Sequence, residues 1–174
     1  KHNLMELVKY LRRSLELTEK LSVSLQDELD FVRTYIELER GRVGEEFVAT
    51  VTVEDGLDAT RIMIPSMIVQ IPVENAIKHG LAGKDGKKEL SVYVSRETNG
   101  IRITVTDNGR GYLPQVVSAT WGTGTGLKVL YQTIQLLNTK NKSDKIRFNI
   151  TNRSDGQTGT EVSVYIPFRF SYDL

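Results

Sequence analysis

The chain has 174 residues, no cysteine and a formal net charge of +1. That length suits one domain with a short appendage, large enough to bury roughly 70% of its unfolded surface. The composition excludes a disulfide framework and a thiolate metal site, and the near-neutral charge makes no case for nucleic acid as a partner.

No apolar run approaches the roughly 20 residues of a membrane span, and no signal peptide is visible. The chain begins at Lys1 and enters helical sequence at once. It reads as a piece of a longer protein, with any membrane attachment in segments before it.

Residues 1–20 predict a helix, with Leu4, Leu7, Val8, Leu11 and Leu15 on one face. That stripe either packs on the domain or ends a longer helix that pairs with a second chain. A short edge strand follows at 23–25, then a helix over 26–41 lined by Leu25, Leu29, Val32 and Ile36. Asp27, Glu28 and Asp30 lie near its start and Arg40 and Arg42 near its end, as the helix dipole favours. Gly41 and Gly44 close it, and alternation marks a strand over 47–53.

Pro65 predicts the first turn of a helix that runs to about His79 and stops at Gly80. Pro72 would lie inside that helix and kink it, at up to about 3 kcal/mol if unrelieved. The kink either aims Asn75 or is an accident of packing. Alternation over 90–95 and 101–106 around Asn99-Gly100 predicts a hairpin. A polar loop with glycines spans 109–126. A helix over 126–138 follows, with Leu127, Leu130, Ile134 and Leu137 on one face. Strands over 145–151 and 160–167 end the chain. This order predicts a two-layer α/β sandwich, a mixed sheet with helices on one face.

Three segments carry chemistry. In Glu74-Asn75-Ala76-Ile77-Lys78-His79-Gly80, helical spacing puts Asn75, Lys78 and His79 on one face. An amide oxygen is a good neutral ligand for Mg²⁺, and the two basic side chains suit phosphate oxygens. The same face is also a plain polar helix end. In Asp107-Asn108-Gly109-Arg110-Gly111, a carboxylate ends a strand, where it can accept a hydrogen bond from an exocyclic amine. Gly109 and Gly111 let the backbone approach a flat base. The alternative there is an ordinary turn. In Gly122-Thr123-Gly124-Thr125-Gly126-Leu127, three glycines precede an amphipathic helix, which makes an anion site or a flexible loop. It is neither a Rossmann fingerprint nor a P-loop.

With these segments in this order, the chain resembles the ATP-binding domain of the GHKL superfamily: gyrase, heat-shock chaperone, histidine kinase and MutL. Glu74 to Gly80 would be its N box, Asp107 to Gly111 its G1 box and Gly122 to Leu127 its G2 box. Gly159-Thr160 also matches, where a threonine helps hold a water on the adenine side. The run from Ile64-Pro65 through Gln70 to Gly80, with residues 29–42 upstream, most resembles sensor histidine kinases of the LytS/YehU type. The likeness covers about 20–170.

The resemblance implies a Bergerat-type sandwich over 21–174, preceded at 1–20 by the end of a dimerisation and phosphoacceptor region. It implies ATP and Mg²⁺ as cofactors. Asn75 would hold the metal, with Glu74 and Lys78 beside it as catalytic candidates and Lys78 and His79 near the phosphates. Asp107 would read adenine, and Gly109 and Gly111 would shape the base pocket. Gly122, Gly124, Gly126 and Leu127 would line the phosphates, and Thr160 the adenine side. Residues 112–121 would form a short lid ending at Trp121. The implied partners are a second copy in the full-length protein and a response regulator, and the implied location is the cytoplasmic side of a membrane-anchored bacterial sensor.

In the hydrolysing relatives a glutamate general base precedes the metal-binding asparagine by four residues. Here that position is Ile71, which cannot accept a proton. Transfer of the γ-phosphoryl to a histidine is therefore expected over hydrolysis. The chain holds only His2 and His79, and lacks the family's acceptor run. The acceptor is expected upstream. The other readings are a GHKL ATPase and a non-catalytic nucleotide-gated interaction module.

Overall fold

A computed structural model describes residues 20–111 and 125–173. The predicted helix over 1–20, except its last residue, lies outside them, as do the lid, Trp121, Gly122 and Gly124. The elements are β1 (Ser22–Ser24), α1 (Leu25–Val43), β2 (Phe47–Val53), β3 (Met63–Pro65), α2 (Gln70–Asn75), a π-helical turn (Ala76–Gly80), β4 (Lys88–Glu97), β5 (Gly100–Asp107), α3 (Thr125–Lys140), β6 (Arg147–Asn152) and β7 (Thr160–Pro167).

Five strands form one mixed sheet in the order β2-β4-β5-β7-β6. β2 and β4 run parallel, and the other neighbours are antiparallel. β1 and β3 make a separate antiparallel ribbon. Alternation decides which face is inside. Leu90, Val92, Val94, Ile101, Ile103, Val105, Val162, Val164 and Ile166 all point to the helices and are buried. Each contributes on the order of 1.5–3 kcal/mol by leaving water. The other face carries Thr50, Thr52, Ser91, Tyr93, Thr104 and Ser163 and stays partly exposed. The result is the predicted two-layer sandwich.

α1 begins at Leu25, expected from the sequence in the edge strand, because Ser24 caps the helix. The Ser24 hydroxyl accepts from the Asp27 N–H at 3.0 Å, and Gly44 at φ 117° ends the helix by donating to Arg40 O. The hairpin β4–β5 turns through Thr98 and Asn99, with Gly100 already in β5. Gly100 is needed for approach: a Cβ there would fall 2.3 Å from Ile166 O.

The helix at Pro65 is a correction. Pro65 ends β3, and α2 starts five residues later at Gln70. Between them Met67 adopts φ +71°, the one non-glycine residue in the left-handed region among the described residues. Pro72 therefore lies in the first turn of α2, where a missing N–H is harmless. The expected kink is replaced by a widened turn after Asn75, in which Leu81 N–H donates to Ala76 O.

Candidate nucleotide site

The site collects at one end of the sheet, where β5 delivers Asp107 beside the end of the π turn. Asp107 is 4% exposed. Its Oδ1 accepts from Gly109 N–H at 2.8 Å and from Thr160 N–H at 3.4 Å. Burial raises its pKa above the usual carboxylate range; those two N–H groups and the Arg153 charge pull the other way. Arg153 also donates to the Asp107 carbonyl at 3.3 Å.

Glycines let three backbone segments close around this carboxyl. A Cβ at Gly80 would sit 3.0 Å from Asp107 Oδ2, one at Gly109 2.1 Å from Gly80 O, and one at Gly159 1.9 Å from Asp107 O. No side chain fits at the last two. Gly111, at φ +92°, faces Asn152. The sequence-predicted Asp107, Gly109 and Thr160 are thus brought together, and Gly80, Gly159 and Arg153 join them. An open cavity of about 300 Å³ borders the same turn, lined in part by Gly80, Gly109 and Arg110.

Asn75 ends α2. Its Nδ2 is buried and has no hydrogen-bond partner. An orphaned buried amide calls for a ligand or water. Nδ2 suits a phosphate oxygen, and Oδ1 suits a hard cation. Among the described residues no cluster of three His, Asp or Glu side chains could cage a metal. The Asn75 amide oxygen would suit an Mg²⁺ whose other ligands are phosphates and waters.

Glu74 and Lys78 pair with each other at 3.6 Å. Glu74 also accepts from Gln70 Nε2 at 2.9 Å. Lys78 is exposed, so this pair is worth little to the fold. His79 is half-buried. Burial chiefly, then the Lys78 and Arg110 charges, lower its pKa, so it is neutral at pH 7.

Gly126 opens the first turn of α3 and meets the site helix: a Cβ on it would lie 3.6 Å from Ile71 Cγ2. The position from which a general base would act is thus an apolar packing contact. Leu127 is buried in the core.

Glu28 was legible only as a dipole-favouring charge. It is fully buried. Its carboxylate accepts from the N–H groups of Met67 (2.9 Å), Val69 (2.8 Å) and Gln70 (3.2 Å), at the start of α2. The available signal was its place between Leu25, Leu29 and Val32 on the apolar face.

Residues 60–169 match the family model for histidine kinase-, DNA gyrase B- and HSP90-like ATPases. The chain belongs to that family. Residues 1–47 match a second family model, described as histidine kinase. Sensor histidine kinase/phosphatase LytS of Staphylococcus aureus strain MRSA252 is 32% identical over 162 residues, covering 89% of this chain and 27% of that protein. Sensor histidine kinase YpdA of Escherichia coli K12 is 28% identical, covering 94% and 28%. The chain thus spans little more than a quarter of these relatives. Among solved structures, the histidine kinase domain of the blue-light activated kinase EL346 from Erythrobacter litoralis superposes with TM-score 0.60 at 21% identity, covering 97% of this chain and 76% of that one. Full-length ShkA in complex with AMPPNP gives TM-score 0.58 at 19% identity, covering 97% and 36%. At those identities the likeness speaks for the fold. The chain is an ATP-binding domain of the histidine kinase-, DNA gyrase B- and HSP90-like ATPase family, similar in sequence to LytS and YpdA.

Proposed function

We propose that this domain binds Mg²⁺-ATP at the Asp107–Asn75 end of the sheet and presents the γ-phosphoryl to a histidine upstream of the described residues. The phosphoryl then passes to a response regulator. The whole protein would be a dimeric sensor, anchored in a membrane by segments before this chain. Among the described residues no helix is long and apolar enough to cross a membrane.

The observations that carry this reading are a buried, backbone-walled carboxyl at Asp107 and an Asn75 amide nitrogen that is buried and unpartnered. Asp107 accepts the adenine amino group. Gly80 and Gly109 let the backbone close on that carboxyl and wall the base pocket. Gly126, with Gly122 and Gly124 before it, offers N–H groups to the phosphates at the start of α3. Asn75 supplies the amide oxygen for the cation. The cation's contribution, when bound, is to neutralise charge on the β and γ phosphates. Glu74 and Lys78 flank the amide as a charge pair, and neutral His79 is available as a donor to phosphate.

Ile71 supports transfer over hydrolysis. It packs on Gly126 and has no group to activate water. Calorimetric titration of the chain with ATP, with and without Mg²⁺, tests the site. One ATP per chain with Mg²⁺-enhanced affinity is expected, and Asn75→Ala should remove the enhancement. An enhancement unchanged in that variant contradicts the role of Asn75.

A further inference from the structure

Asn75 is only as well placed as the helix that carries it, and that helix starts from an unusual turn. Met67 is in the left-handed region, which strains a residue with a β-carbon and persists only where the surroundings impose it. Its N–H is held by Glu28 Oε1 at 2.9 Å. Its carbonyl accepts the first helical bond, from Ile71 N–H at 3.0 Å. Asn75 follows one turn later. Glu28 Oε2 takes the next free N–H groups, those of Val69 and Gln70. All three bonds reach across about forty residues of chain, from α1 to the site helix.

We propose that Glu28 is a positioning residue for the nucleotide site: its carboxylate clamps the entry to α2 so that Asn75 faces the cation and phosphates. This deepens the proposed function and rests on it. A carboxylate is the side chain the site needs, because it offers lone pairs to three N–H groups and has none of its own to misplace. Fixing the start of the helix also opposes its rotation, which would swing the Asn75 amide away. Gln70 couples the clamp to the neighbouring charge pair, since its N–H is on Glu28 and its Nε2 on Glu74. Burial raises the Glu28 pKa to about 7, with only those backbone N–H groups opposing it. A group kept buried at that cost, without a charged partner, marks a position that packing alone would fill with leucine or glutamine.

The test compares wild type, Glu28→Gln and Glu28→Asp for three affinities: adenosine, ATP without Mg²⁺, and ATP with Mg²⁺. Glutamine places an NH₂ among three donors; aspartate retracts the carboxylate by one methylene. Both should lower the Mg²⁺ enhancement by roughly 10- to 100-fold, as loss of a residue orienting a metal ligand does. Adenosine affinity, which reads Asp107, should stay at the wild-type value. Equal losses for adenosine and Mg²⁺-ATP would overturn the proposal, as would an intact enhancement in either folded variant. Failure of both variants to fold would overturn it too, since Glu28 would then hold the fold and not the site. A wild-type chain without Mg²⁺-enhanced binding would instead refute the reading of the site itself.

Discussion

Gly109 is where the proposed base pocket is most sensitive to a single atom. In Gly109→Ala the new Cβ would fall 2.1 Å from Gly80 O and 2.4 Å from its carbon. Ordinary contact begins near 3.4 Å. The turn after β5 and the end of the π turn must therefore part by about 1.3 Å, the difference between those distances. Overpacking of that kind costs about 1–3 kcal/mol. The Arg110 N–H bond to Gly80 O, already 3.3 Å long, would break and add about 1 kcal/mol. At about 2–4 °C per kcal/mol for a chain of this size, the melting temperature should fall by roughly 4–16 °C. The shift also loosens Gly109 N–H from Asp107 Oδ1, so ATP affinity should fall about tenfold, the equivalent of ~1.4 kcal/mol. Thermal denaturation and calorimetry read the two effects. Gly41→Ala is the control: nothing lies within 4 Å of its Cβ, and alanine in a helix should add about 0.5–1 kcal/mol. A Gly109→Ala protein that melts and binds ATP like wild type would refute the close approach.

Further outcomes follow from the same geometry. Asp107 should favour ATP over GTP, because adenine offers an amine where guanine offers an oxygen; leaving such an acceptor unpaired costs about 1–3 kcal/mol. Competition binding reads this, and Asp107→Asn should narrow the preference. Glu28 predicts a pH dependence of stability. Its native pKa of about 7 exceeds its ordinary 4.5, so the folded state binds the extra proton between them. The stability from that proton is fully present below 4.5 and is lost as pH rises through about 7, roughly 3 kcal/mol at about 1.4 kcal/mol per unit. Urea unfolding at pH 4.5 to 8 should show that decline in wild type, and Glu28→Gln should lack it. An identical pH profile in the two proteins contradicts the burial argument.

β2 and β7 were legible to the residue, because a sheet with one buried face writes a period of two into the chain. α1, though not its Ser24 cap, was legible from its apolar stripe, its charged ends and Gly44. The start of the site helix was not. Pro65 fits a helix N-terminus as well as a strand end, and only the pairing of β3 with β1 decides between them. The π turn after Asn75 was equally hidden. At the site, Asp107 and Gly109 could be named from the turn, but that Gly109 meets Gly80 and Gly159 meets the Asp107 carbonyl depends on segments tens of residues apart. Glu28 was obscured for a related reason. In a first helical turn a charge has a sufficient local explanation, and its burial is set by a segment forty residues later.

The central claim is transfer of phosphate to histidine, and phosphoryl labelling tests it most directly. A chain extended upstream to include the dimerisation region, incubated with Mg²⁺ and γ-labelled ATP, should acquire an acid-labile, base-stable phosphate on a histidine before Lys1. The same extended chain with Asn75→Ala should remain unlabelled, and the present chain alone should not label stoichiometrically. Steady release of inorganic phosphate with no label on the protein would contradict the account.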